Sequence, residues 1–228
     1  MPSKDCKKCE HKCENESGNV CFKFGVPIYT CWEEIINYIT HALGVILSAV
    51  SFVLFLKNPQ KNLICNLIYS STLFILYLSS TIYHGLKMSY LKKIFRILDH
   101  CSIFLLIAGT YVPIALIAIG NLISKIILLV IWVTAILGII FNCINIKKFS
   151  KFSMICYLAM GWAIIFAIKP IMNNFSVYQI WMFITGGAMY TSGAVLYSKG
   201  RKIRYMHSIW HIFVLAGSIF HFLMILSL

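Results

Sequence analysis

The sequence predicts an all-α integral membrane protein, a seven-transmembrane helix bundle with its N-terminus cytosolic and its C-terminus extracellular or lumenal. Three observations lead there. Of 228 residues, 60% are hydrophobic and 12% charged, about half the charged share of a soluble domain. The apolar residues fall in runs of spanning length, separated by short basic or Asn-, Gly- and Pro-containing breaks. Lysine and arginine then alternate between dense and sparse from one break to the next.

Two regions follow from this pattern. Residues 1–28 form a polar, cysteine-containing tail, expected to be disordered, and residues 29–228 form the membrane domain. In the tail, Cys6, Cys9, His11 and Cys13 resemble half of a zinc site, with Cys21 further on. A structural zinc site needs four well-placed ligands, and this spacing is not a complete finger. The other reading is a tail of reduced, lipid-modified thiols. The tail has no apolar core, so the first span is expected to act as its own insertion signal.

The spans are expected at about 30–56, 62–85, 97–119, 123–146, 151–169, 176–198 and 205–227. Their breaks include Lys57, Asn58, Pro59, Gln60 and Lys61, then Gly120 and Asn121, then Lys147 and Lys148. Connections this short make neighbouring helices antiparallel. Pro113 should kink the third span, tolerably where neighbours satisfy the freed carbonyl. Gly186, Gly187, Ser192 and Gly193 in the sixth should permit close helix packing.

Orientation comes from the basic residues. The tail holds five, and the second, fourth and sixth connections hold four, three and four, which leaves Lys57, Lys61, Lys125 and Lys169 for the other side. Sixteen of the 20 cations therefore share a side with the N-terminus, and that side is the cytosol by the positive-inside rule. The net charge of +13 is thus a topology signal in short clusters, and no nucleic-acid partner is expected.

Ionisable groups inside membrane helices are costly, so each one is a functional hypothesis. The last span opens a charge-free run beginning Tyr205, Met206, His207, Ser208, Ile209, Trp210, His211. His207 and His211 lie four apart and share one helix face, a spacing suited to two nitrogens on one metal ion. The second span ends Ser80, Thr81, Ile82, Tyr83, His84, which places Ser80 and His84 on one face at the same leaflet. Three neutral imidazoles, His84, His207 and His211, would leave the fourth position of a tetrahedral zinc open, the catalytic pattern. The implied chemistry is hydrolysis of an ester or amide whose tail lies in the bilayer. The alternative is a lipid or small-ligand sensor in which the zinc is structural, with a permanent protein fourth ligand.

Asp99 is the single carboxylate after Glu34. It is either a charge favoured by its helix N-terminus and paired with Arg96, or a group beside the metal that orients or deprotonates water. The Ser80 hydroxyl either bonds back to its own helix or donates to a metal-bound water or a substrate oxyanion. Glu34, Asn37 and His41 form a polar stripe for interhelical hydrogen bonds or for support of the metal ligands. His100 should point elsewhere on its helix than Asp99. His221 lies roughly 15 Å along the axis from His211, too far to bind the same ion, and is expected to be a satisfied interior histidine.

These residues resemble the hemolysin III family, within the progestin and adipoQ receptor superfamily. The resemblance rests on Glu34, Asn37, Thr40 and His41, on Ser80 and His84, on Leu98, Asp99 and His100 with the stretch Leu106 to Pro113, and on His207, His211 and His221. It covers about residues 29–228 and leaves the tail outside. It implies a seven-helix bundle with a zinc ion near the cytosolic leaflet, held by His84, His207 and His211. The family's serine and aspartate fall on Ser80 and Asp99. It further implies a metal-dependent hydrolase with a lipid-like substrate of the ceramide type among membrane lipids. The family name implies cytolysis by pore formation as a second activity.

Overall fold

A computed structural model describes residues 22–23, 26–58, 62–200, 203 and 205–228. The tail reading, with Cys6, Cys9, Cys13 and Cys21, lies outside the described residues. Apart from a two-residue antiparallel ladder, β1 (Phe22–Lys23) with β2 (Val26–Pro27), the described chain is helical. Its α-helices are α1 (Cys31–Lys57), α2 (Leu63–Gly85), α3 (Tyr90–Pro113), α4 (Leu122–Trp162), α5 (Ile168–Asn174), α6 (Val177–Gly200) and α7 (Met206–Leu226). Among the described residues, five helical runs are long and apolar enough to cross a membrane.

The bundle is inside-out relative to a soluble one. On α1 the buried positions are Glu33, Asn37, His41, Gly44, Ser48, Ser51 and Phe55, spaced three or four apart and so on one face. Large apolar residues face outward instead, with Trp32 61% and Ile46 60% exposed. Lipid accepts apolar side chains and offers polar ones no partner, so polar groups turn inward and bond one another. The Ser51 hydroxyl donates to Ser70 Oγ at 2.8 Å, joining α1 to α2. The Ser79 hydroxyl donates to Ser102 Oγ at 3.2 Å, joining α2 to α3. Gly44 lets α1 close on α2, because a Cβ there would run into the Tyr77 ring.

Three element boundaries differ from expectation. α3 starts at Tyr90, seven residues before the predicted start, because Ser89 caps it by accepting a hydrogen bond from Lys92 N at 3.2 Å. The basic stretch before Asp99 is therefore helical. The predicted fourth and fifth spans occur within one run, Leu122–Asn174. Its break is a single residue, Asn145 (φ −161°, ψ 91°), whose side-chain oxygen accepts from Lys148 N at 3.0 Å and caps the second half. That second half passes through a 3₁₀ stretch, Ala163–Ala167, into α5. Finally, the third α-helix ends at Pro113, short of the expected end near 119, and continues as a π-helical stretch, Ile114–Ile119.

α1, α2, α3 and α7 pack closely, with α2 against both α1 and α3. α6 lies along α7, whereas α4 and α6 touch only sparsely. α6 falls short of the five most apolar runs because its glycines, with Thr185, Thr191 and Ser192, dilute its apolarity. The sparse α4–α6 contact sets where the interior is hollow.

Candidate metal centre

The centre is built where α1 begins, α2 ends and α7 begins. Glu33 organises this corner with both carboxylate oxygens. Its Oε2 accepts from Thr30 N at 2.9 Å and Thr30 Oγ1 at 2.8 Å, closing a capping box at the start of α1. Its Oε1 accepts from Tyr205 N at 2.8 Å, at the start of α7. One carboxylate thus serves two helix N-termini, where the backbone N–H groups and the helix dipole favour negative charge.

The corner brings His84, from the last turn of α2, against His207 and His211, from the first two turns of α7. All three are buried, and one ring nitrogen from each lies within 4.8 Å of the others. His207 Nε2 and His211 Nε2 are 3.1 Å apart. Two ligands about 2.0–2.1 Å from a tetrahedral zinc ion would stand about 3.3 Å apart, so this pair already has close to the required separation. His84 Nε2 is buried without a hydrogen-bond partner, an uncommon state for a polar atom unless something further binds there. The donor set is all imidazole nitrogen, which suits zinc and other transition ions and not magnesium or calcium. The residues fit the metal.

The other nitrogen of His84 is fully engaged. His84 Nδ1 donates to Glu34 Oε2 at 2.6 Å, and the Asn37 amide lies 3.4 Å from the same nitrogen. Glu34 Oε1 accepts from Lys92 Nζ at 2.7 Å. His41, one turn beyond Asn37, stacks on His211 with ring centroids 3.7 Å apart, and neither of its own ring nitrogens has a partner. Tyr29 stacks on His207 at 4.9 Å. Desolvation pushes its phenol well above the ordinary value of 10.0, which keeps it neutral.

Ser80 and Asp99 are both buried close by. The Ser80 hydroxyl has no hydrogen-bond partner, so it does not bond back to its own helix. Asp99 Oδ2 lies 3.5 Å from His100 Nδ1 and is not part of the three-nitrogen group. His100 does not turn away as expected: it lines the same cavity as Asp99, and its Nε2 is 3.5 Å from the Tyr197 hydroxyl. His221 stands apart from the trio as expected but is only half satisfied. Its Nε2 is 3.3 Å from the Phe183 carbonyl, while its Nδ1 has no partner.

A cavity of about 710 Å³ runs beside this centre. Its lining includes His41, Asp99, His100 and His221 among apolar residues such as Leu76, Ile107, Ile114 and Phe183. The three clustered imidazoles are not in its lining, and His41 is the side chain that meets both the cavity and His211. Lys92, Tyr29 and the bridging role of Glu33 escaped the sequence reading. The available signal was the acidic pair Glu33–Glu34, whose two members point to different helices.

A match to the family described as haemolysin-III related covers residues 29–222. The chain belongs to that family. Hemolysin-3 of Bacillus cereus is 39% identical over 199 residues, covering 85% of this chain and 90% of the relative. A hemolysin-3 homolog of Bacillus subtilis is 37% identical over 196 residues, covering 84% and 92%. Human monocyte to macrophage differentiation factor is 28% identical over 201 residues, covering 85% and 83%. The matched region begins beyond the cysteine-bearing tail, and His84, His207 and His211 lie within it. With its apolar runs, family membership makes the chain an integral multi-pass membrane protein.

Proposed function

We propose that this protein is a zinc-dependent hydrolase of a lipid amide or ester, with seven spans and the metal end of the bundle at the cytosolic face. The carrying observation is three buried imidazole nitrogens within 4.8 Å, with no carboxylate or thiol among them. The mostly apolar 710 Å³ cavity alongside supports a substrate with a long hydrocarbon portion. In this reading Leu122–Asn174 crosses twice, turning at Asn145, and α6 supplies the sixth crossing. Sixteen of the 20 cations then lie on the cytosolic side.

His84, His207 and His211 hold the ion. When bound, zinc supplies Lewis acidity that activates water and polarises a carbonyl. Asp99 accepts the proton from water at Oδ2, the oxygen that has no hydrogen-bond donor in the fold. The Ser80 hydroxyl, equally unpartnered, donates to the carbonyl oxygen of the substrate as charge develops there. The apolar walls exclude bulk water and hold the hydrocarbon chain. Asp99→Ala should abolish turnover of lipid amides while leaving bound zinc close to one per chain. Unchanged turnover would remove Asp99 from the reaction.

The relatives' name supports a second reading, membrane lysis. Dye release from liposomes, against an unrelated membrane protein at equal loading, separates the two. Equal leakage from both removes the lytic reading.

A further inference from the structure

Four cations lie in the stretch 87–96, and three of them suffice for a topology signal. The fourth behaves differently. Lys92 is 2% exposed, although its neighbour Lys93 is exposed. Its ammonium donates to Glu34 Oε1 at 2.7 Å and to the Leu86 carbonyl at 3.0 Å, and stands 5.1 Å above the Tyr83 ring. Removing a lysine from water is expensive unless its charge is paired and its protons are bonded. This one has a carboxylate, a carbonyl and an aromatic face. The partner carboxylate has one oxygen on the lysine and the other on His84 Nδ1.

We infer that Lys92 and Glu34 form a positioning relay for His84, fixing which ring nitrogen faces the metal and holding the Glu34 carboxylate off it. A carboxylate can only accept, so the proton of His84 is held on Nδ1 and the lone pair is left on Nε2. Nε2 is the atom that the fold leaves without a partner. The pairing also restrains Glu34 itself. A half-buried carboxylate so close to the centre is a competent fourth ligand, and occupation of both its oxygens keeps the fourth position open. Lys92 further ties the relay to the turn between α2 and α3 through Leu86, so the turn that ends α2 is set by the same contact that orients its histidine. Outer partners of this kind typically contribute about 10–100-fold to metal affinity.

This inference rests on the zinc reading above, and its test separates the two. Detergent-purified apoprotein is titrated with zinc against a competing chelator, for wild type, Glu34→Gln, Lys92→Met, Lys92→Arg and the double variant Glu34→Gln/Lys92→Met. Each of the first two changes is expected to weaken zinc binding about 10–100-fold. Lys92→Arg should restore most of it. The double variant should bind like the weaker single variant, because both changes act through one chain of bonds.

The melting temperature is measured with and without zinc. A purely structural ion pair would lower both values equally and leave the zinc-induced rise unchanged, and that result overturns the relay. So does wild-type zinc affinity in Glu34→Gln. If Glu34→Gln does not fold, Glu34→Asp keeps the charge and shortens its reach by one methylene. Undiminished affinity there overturns the relay as well. Wild type that binds no zinc would sink the metal reading itself.

Discussion

α7 carries histidines in two settings, and the contrast shows what makes a buried imidazole a candidate ligand. Near its start, His207 and His211 face each other at 3.1 Å and meet His84 from α2. Further along, His221 lies parallel to the Phe183 ring, with one nitrogen against that residue's carbonyl. Helix, burial and residue type are the same in both places. The difference lies in what neighbouring helices present: other imidazoles at the start of α7, a backbone carbonyl and an aromatic ring further on. A candidate metal centre is thus a property of helices meeting, and a histidine on one apolar helix does not define it.

Three experiments can break this contrast. The largest effect is expected from His84→Ala, His207→Ala or His211→Ala, each of which should reduce zinc from about one per chain to near zero by mass spectrometry. Metal retained in all three would place the ion elsewhere. Next in size is Gly186→Val. A side chain at 186 would run into the His221 ring, and such overpacking should cost about 1–3 kcal/mol of stability, read as a lower melting temperature with zinc content unchanged. The smallest is His221→Phe, which removes the contact with the Phe183 carbonyl and should cost about 1 kcal/mol, again with full zinc content. Zinc loss in either of these two variants would join the two settings into one site.

The sequence carries the first level of this contrast well and the second poorly. Spanning runs are visible because lipid demands about 20 apolar residues per crossing. The trio is visible because two histidines four apart must share a face and His84 ends its helix at the same end of the bundle. Asn145 is harder to see as the turning point, since Lys147 and Lys148 suggest a loop and the helix resumes through a single capped residue. Lys92 is hidden among topology-setting cations, because only the fold shows that it points inward. His100 was misjudged by the helical wheel: adjacent residues leave the axis about 100° apart, yet a wide cavity takes in both Asp99 and His100.

The contact between Glu33 and Tyr205 spans 172 residues of sequence. A ribosome delivers α1 well before α7, so this clasp has no counterpart until α7 is made. His84 likewise waits for α7 to bring His207 and His211. Until α7 is in place the chain therefore lacks two of the three imidazoles that could hold a metal ion. Any truncation before α7 leaves Glu33 without the Tyr205 N–H, a buried carboxylate lacking one of its donors.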